Sequence, residues 1–335
     1  MGTPRTVAAA LTASLAIALA LACGRALPPS PHLGPGAGGA RPEAAHRANE
    51  GCTTCHEAIA QEWRASNHAE AFRHGTFQLA YIMEPLPFCA ACHAPEADPA
   101  RPLPPASDLG VACVTCHPGG RRWRLAVSAA APATPRERAN AACASCHEFP
   151  FPGDGAGAPP RLMQKTVSEH AASSARDTPC VGCHMRAVEE PGGGRHVDHR
   201  FLASRGADLV RRASRVEVRR EGDAAVFTFT RASAGHALPT GDLFRRLRLV
   251  VESDAAARTV FLSRKTRESS ADGREPDTRP FADGRDVYVA VIPLQDLRGP
   301  LRYRVVYERV AHPNGEDDEG ATVDGAIELA RGDLR

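Results

Sequence analysis

Lysine is almost missing from this chain: it has two, Lys165 and Lys265, and its other basic side chains are arginines. With a formal charge of +2 and 24% charged residues, its composition implies no nucleic-acid or polybasic membrane partner. Aromatic residues make up 5% of the chain, little bulk from which to build several ordinary cores. No apolar run is as long as a membrane span; the longest, residues 7–21, follows Arg5 near the N-terminus. From Arg211 onward there is no cysteine at all.

What cysteine there is falls into a pattern. Ten of the 11 cysteines lie in five copies of Cys-x-x-Cys-His. The first is Cys52, Cys55 and His56; the second Cys89, Cys92 and His93; the third Cys113, Cys116 and His117. The fourth is Cys143, Cys146 and His147, and the fifth Cys180, Cys183 and His184. This spacing is the attachment signature of c-type haem. Two thiols three residues apart share one turn of backbone and can add across the two vinyl groups of one porphyrin. The following imidazole then meets the iron from the same side as its proximal ligand. Zinc ribbons pair their knuckles without a histidine after each, and disulfides would not keep one three-residue spacing five times. The sequence therefore predicts five covalent haems c, bound by those ten cysteines and ligated by those five histidines. That leaves about 27 residues per haem, too few to wall each group off in its own protein core. The porphyrins must supply much of the apolar interior and lie close together, as an electron wire requires.

The N-terminus reads as a secretion signal over residues 1–22, with Ala20-Leu21-Ala22 as a small-x-small cleavage site. Export agrees with c-type haem, which is attached outside the cytoplasmic membrane by dedicated haem-attachment machinery. Cys23, the one cysteine outside the motifs, stands directly after that site. This resembles a lipoprotein signal, although the third position back lacks the usual Leu; the alternative is a spectator cysteine. Residues 23–47 are rich in Pro, Gly and Ala, without apolar periodicity, and read as a linker of no assigned structure. Ile59, Trp63 and Phe72 recur at helical spacing, predicting one helix over 57–72, and a second is predicted over 162–170.

Beyond Arg211 the apolar period becomes two. Val216 and Val218, a Glu221-Gly222-Asp223 turn and the run 226–230 predict a hairpin. Further strands of a small antiparallel sandwich are predicted where Leu247, Leu249 and Val251 alternate, then Val287, Val289 and Val291, then Leu301, Tyr303, Val305 and Tyr307. The expected fold is α+β and multidomain: a haem-packed, mainly helical and irregular domain over 48–205, then a small all-β sandwich over 206–335.

Several segments resemble the cytochrome c-552/c-554-like family of multihaem cytochromes: Trp63-x-x-Ser66-x-His68-Ala69, Phe88 to Pro95 around the second motif, Gly110 to His117 around the third, and His199-Arg200-Phe201. The resemblance implies that His68 and His199 are distal haem ligands, with His199 favoured over His196. For His68 the residues alone also allow a solvated helix histidine. The loop Gly235-His236-Ala237-Leu238-Pro239-Thr240-Gly241 is similar to one in sandwich domains joined to such cytochromes, which implies that His236 reaches back to a haem; a tight turn with an incidental histidine is the alternative. Where that family usually has Glu-Trp, this chain has Glu169-His170, so His170 is either a replacement ligand or a neutral exchange. His74 reads as a surface residue or one touching a ligand, Met185 as packing, and His312 and the acidic run 316–319 as solvated.

Of the 14 histidines, those outside the motifs suffice to cap all five irons, and such irons do only outer-sphere electron transfer. The leading expectation is a periplasmic or membrane-anchored electron carrier between respiratory partners, its donors other redox proteins or quinol-linked proteins. The alternative is an oxidoreductase with one open haem acting on a small nitrogen or sulfur compound. Ammonia-forming nitrite reductases replace one motif histidine by lysine, and neither lysine here is near a motif.

Overall fold

The computed structural model describes residues 42–117, 135–151, 161–190, 193–203, 205–241, 243–265, 276–311 and 319–335. All of them belong to one compact unit. The expected secretion signal, Cys23, His312 and most of the acidic run lie outside the described residues. Among the described residues no helix is long and apolar enough to cross a membrane.

The architecture is mixed α+β. Short helices come first: α1 (Pro42–Cys55), α2 (Glu57–Arg64), α3 (Gly75–Met83), α4 (Pro87–His93), α5 (Cys113–Cys116), α6 (Pro135–His147), α7 (Thr166–Ala172) and α8 (Cys180–His184). Every Cys-x-x-Cys-His therefore lies on or directly ends a helix, as one-turn spacing of the thiols requires. Two small hairpins interrupt them, β1 (Glu148–Pro150) with β2 (Leu162–Lys165) and β3 (Ala187–Glu189) with β4 (Arg195–Val197).

Three sequence expectations need correction. The linker does not run to residue 47, because α1 begins at Pro42. Proline suits the first helical position, where no amide partner is needed, and α1 is held by a remote contact: Asn49 Oδ1 accepts the Cys113 N–H at 2.9 Å. The helix predicted over 57–72 stops at Arg64. Ser66 is buried, its Oγ accepting the Ala69 N–H at 3.2 Å, a local bond that competes with helix continuation. The helix predicted over 162–170 starts only at Thr166, since Leu162–Lys165 pairs with β1. Glu148 Oε2 of β1 accepts the Val167 and Ser168 N–H groups at 2.9 and 3.2 Å, satisfying donors at the start of α7.

After α9 (Ala207–Arg212) the chain is all strand. β5 (Ser214–Glu221), β6 (Ala224–Arg231) and β9 (Val287–Pro293) form one antiparallel sheet in the order β5-β6-β9. β7 (Arg245–Glu252), β8 (Ala257–Leu262), β10 (Leu301–Val310) and β11 (Val323–Leu334) form another, ordered β11-β10-β7-β8. The predicted β5–β6 hairpin closes through Gly222, at φ +57°, as a two-residue hairpin loop demands. Inward-facing side chains of both sheets share one core that includes Phe227, Phe229, Ile292, Leu247, Leu249 and Val305. In β9 the pairing Phe227↔Ala290 and Ala225↔Ile292 sends Ala290 and Ile292 inward. By the two-residue period Val287, Val289 and Val291 then point out, and they are 53, 51 and 56% exposed.

On the other sheet Glu308 is 2% exposed and lies 2.8 Å from Arg246 Nε and 2.7 Å from Arg248 Nε. Removing one member of a buried ion pair strands the other charge. Glu308→Ala should therefore lower unfolding free energy by about 3 kcal/mol, read as a shifted urea midpoint at constant slope.

Candidate haem-binding site

Five helix ends carry the motifs, and none of the ten motif cysteines is in a disulfide. Cysteines of different motifs meet: Cys92 hydrogen-bonds Cys146, and Cys143 hydrogen-bonds Cys180. The second, fourth and fifth motifs are thus packed side by side. Cys183 stands outside these thiol contacts. It is half-buried on α8, one turn from Cys180 and directly before His184, so local spacing alone groups it with the fifth motif. Cys55 is the exposed member of the set, at the open end of α1.

Among the described residues no group of three or more His, Cys, Asp and Glu side chains could hold a metal ion directly. Small side chains surround the motif thiols: Ala90, Ala91, Ala94, Ala106 and Ala112 are all buried. Nearby, α3 carries Leu79, Ile82 and Met83 at 60, 72 and 79% exposure, an apolar surface of the kind a porphyrin would cover.

The second observation concerns imidazoles. His68 faces His147 with ring centroids 6.3 Å apart, His199 faces His117 at 6.4 Å, and His236 faces His184 at 6.2 Å. A metal held between two imidazoles, with bonds of about 2 Å and ring radii of roughly 1 Å, spaces the centroids by about 6 Å. Each pair joins one motif histidine to one of the three histidines singled out in the sequence, and each comes from a distant segment. These residues fit haem c: thiols for the vinyl groups, a proximal imidazole beside them, and a second imidazole across.

Ring orientation is set by backbone carbonyls. Nδ1 of His93 bonds Ala71 O at 2.7 Å, Nδ1 of His184 bonds Leu202 O at 3.0 Å, Nδ1 of His199 bonds Val197 O at 2.6 Å and Nδ1 of His236 bonds Ala237 O at 3.0 Å. Proton on Nδ1 leaves Nε2 free to ligate, the usual outer support of a metal-bound histidine. His68 differs, for its Nδ1 is buried without a hydrogen-bond partner. Burial, with the nearby His147, His184 and His93, pushes the His68 pKa down to about 3. Burial likewise pushes His236 down to about 4, against the opposing bond to Ala237. Both rings are neutral at physiological pH, the form that ligates.

Local geometry explains how each distal segment arrives. His68 O accepts the Val111 N–H at 2.8 Å, and Trp63 Nε1 donates to Val111 O at 2.8 Å. Gly110, at φ +58°, lies so close that a Cβ there would sit 2.3 Å from His68 O. His199 follows a turn in which buried Asp198 accepts the Arg200 N–H at 2.8 Å and is paired with the Arg200 guanidinium at 2.6 Å. Phe201, at φ +48°, sets its ring edge-on to both His68 and His199, at 4.3 and 5.8 Å.

The His236 loop is held by an ionic junction. Arg279, 3% exposed, bonds Pro239 O at 2.8 Å, Glu169 at 2.6 Å and Asp277 at 2.7 Å; Lys165 meets Asp277 at 2.8 Å. Burial would raise the Asp277 pKa, but Arg279 and Lys165 together hold it down to about 2.

The remaining histidines are placed elsewhere. His196 bonds Glu62 at 3.1 Å and Glu190 at 2.8 Å. His170 packs against Gly235, and Arg205 donates to His74 Nε2. Met185 is buried as packing. Sequence reasoning gave no role to Glu62 or Arg279 and quoted Gly110 and Glu169 only as parts of family-like segments; the φ > 0 demand at Gly110 and the pairing of Arg279 arise only in the folded chain.

A protein whose cysteines, motif histidines and facing imidazoles are arranged in this way is a multihaem cytochrome c. More particularly, residues 51–120, which hold the first three motifs, match the family described as cytochrome c554 and c-prime, so over that stretch the chain is similar to multihaem cytochromes of this family. Among solved structures it is similar in fold to a penta-haem cytochrome c552 from Thermochromatium tepidum, at 18% identity and TM-score 0.58, covering 85% of this chain and 98% of that one. A superoxide reductase from Nanoarchaeum equitans overlaps 37% of this chain and 94% of its own at 10% identity, but its TM-score of 0.20 is too low to relate the folds. Comparison with curated proteins finds no match.

Gly110→Ala should displace the His68 segment and convert one haem from low to high spin, visible in the oxidised absorption spectrum and in EPR. Asp277 stabilises the fold fully above its ordinary pKa of 3.8 and ceases to do so as pH falls through about 2. Acid unfolding followed by circular dichroism should therefore lose about 2 kcal/mol over that window, a loss that Asp277→Asn abolishes.

Proposed function

We propose that this chain is an exported electron carrier that binds five haems c, at least three of them ligated by two imidazoles. In this reading the porphyrins are held by Cys52 and Cys55, Cys89 and Cys92, Cys113 and Cys116, Cys143 and Cys146, and Cys180 and Cys183. His56, His93, His117, His147 and His184 are the proximal ligands. His199 caps the haem of the third motif, His68 that of the fourth and His236 that of the fifth. The three facing pairs at 6.2 to 6.4 Å are the observation that carries it. An iron capped on both faces has no place for substrate and exchanges electrons only, its potential tuned by axial ligands and burial.

What the protein contributes is placement. The side-by-side motifs keep neighbouring porphyrins close, and neutral, preoriented imidazoles spare the iron any large rearrangement when its charge changes. Residues 48–205 serve as the haem-carrying part, and residues 206–335 supply His236 together with a rigid surface on which redox partners dock. The signal-like N-terminus supports a periplasmic location, with Cys23 as a lipid attachment point.

A second reading, an oxidoreductase acting on a small nitrogen or sulfur compound, is favoured by one place. At the second motif the ring packed on His93 is that of Phe77, stacked at 3.8 Å, with Tyr81 and Phe72 behind it. These rings pack around the proximal imidazole, an apolar setting beside one haem that is compatible with a substrate site on its opposite face. Low-temperature EPR of the oxidised holoprotein, quantified per haem, separates the two. Low-spin ferric signals alone are expected for the carrier. A high-spin signal that shifts on adding nitrite, hydroxylamine or sulfite would make the protein an enzyme.

A further inference from the structure

Two of the three facing histidines reach their partners on segments far along the chain, and each segment is met by a glutamate from a short helix. Glu62 of α2 places Oε2 2.9 Å from the main-chain N of His199, across 137 residues. Its other oxygen, Oε1, bonds the His196 ring at 3.1 Å. Glu169 of α7 accepts the N–H of Ala237, next to His236, at 3.3 Å and the Thr240 hydroxyl at 2.6 Å, both on Oε2. Its Oε1 receives Arg279 at 2.6 Å. In both places one carboxylate oxygen takes the incoming backbone and the other takes a cationic or ring N–H donor.

The likeness extends to sequence. Glu62-Trp63-Arg64-Ala65-Ser66 and Glu169-His170-Ala171-Ala172-Ser173 share Glu-x-x-x-Ser. Each serine stands just past the end of the helix that carries its glutamate, Ser66 after α2 and Ser173 after α7. Both serines are buried, at 2 and 0% exposure. Ser66 Oγ accepts the Ala69 N–H beside His68 at 3.2 Å, and Ser173 Oγ donates to Gly235 O beside His236 at 3.0 Å. The same five-residue device thus occurs twice, and each time it grips backbone within one residue of a facing histidine.

We infer that Glu62 and Glu169 are positioning residues that seat His199 and His236 as distal haem ligands, each by fixing the main chain of the incoming segment. The inference rests on the reading of His199 and His236 as distal ligands. A ligand histidine held only by its own side-chain torsions would spend part of its time off the iron. Here the ring is turned by its Nδ1 bond to a neighbouring carbonyl, and the backbone that carries it is tied down by the glutamate. A charged acceptor makes the stronger tie, since hydrogen bonds to a carboxylate exceed those to a neutral oxygen. The joint is also dry at Glu169, which is 2% exposed in its side chain, and nearly so at Glu62, at 17%.

The test uses the mature holoprotein with Glu62→Ala, Glu62→Gln, Glu169→Gln and, as reference, His199→Ala. Haem content per chain, EPR spin state and carbon monoxide binding to the ferrous protein are read for each. His199→Ala should open one haem of the five to carbon monoxide. Glu62→Ala should keep full haem content yet open the same haem in a large fraction of molecules and shift its midpoint potential. Glu62→Gln, which retains an oxygen for the His199 N–H, should restore most of the low-spin signal. Glu169→Gln should shift a different low-spin signal, that of the haem of the fifth motif. If His199→Ala opens a haem while both Glu62 variants leave spin state, carbon monoxide binding and potential unchanged, the positioning role is overturned and the ligand reading stands. If His199→Ala opens none, the ligand reading itself fails and the inference falls with it.

Discussion

An iron in a porphyrin takes its two axial ligands from opposite faces, and a Cys-x-x-Cys-His helix end can supply only one of them. In the proposed reading, the arrangement around the motifs answers that constraint. The second imidazole has to come from a segment the motif does not contain, and three such segments face motifs here: the His68 ring lies opposite that of the fourth motif, His199 opposite the third and His236 opposite the fifth, at 6.2 to 6.4 Å. Lacing of this kind makes haem ligation and tertiary structure one process. The irregular backbone falls at the same places: the left-handed Gly110 and Phe201 lie where the chain passes close to His68, and such strain is kept where surrounding contacts enforce it.

Charge does the remaining work of placement. Apolar contacts alone could not fix the direction of an incoming loop in a region with so few large side chains, because the hydrophobic effect is non-directional. Carboxylates can. Glu62 and Glu169 bind named amide groups, and Asp198 shapes the turn that presents His199. Around Arg279 the network ties α7, the His236 loop and Asp277 into one dry joint. Buried ion networks add little net stability over apolar packing; what this one provides is geometry, with the two-sheet core of Phe227, Phe229 and Leu247 behind it as an anchor.

Much of this was legible from residues alone, and the rest was hidden for physical reasons. The five attachment motifs and the β5–β6 hairpin depend on local spacing, so linear sequence reveals them. Cys183 is the plainest case, since its place beside Cys180 and His184 follows from α8 alone, whereas the meeting of Cys143 with Cys180 joins two motifs and needs the fold. His68, His199 and His236 were marked by the residues around them, but which motif each would face was not, because that depends on contacts across tens to hundreds of residues. Helix ends were misjudged where a remote group decided them, as Asn49 bonding Cys113 holds α1 within the expected linker and Glu148 delays the start of α7, or where a local side-chain bond did, as Ser66 ends α2 early. In β9 the two-residue period was visible, yet only the pairing with β6 settled that the valines face out.

By itself, then, the sequence pointed to the chemistry: five Cys-x-x-Cys-His motifs, each with the two thiols and the imidazole that covalent haem c takes. A covalent motif is a property of five consecutive residues and survives in any fold that leaves it accessible. Only the tertiary structure decided the pairing of imidazoles, the carboxylates that tie down their segments and the face each strand presents. Those are relations between residues far apart along the chain, and they exist only once packing has brought their backbones within a few ångströms.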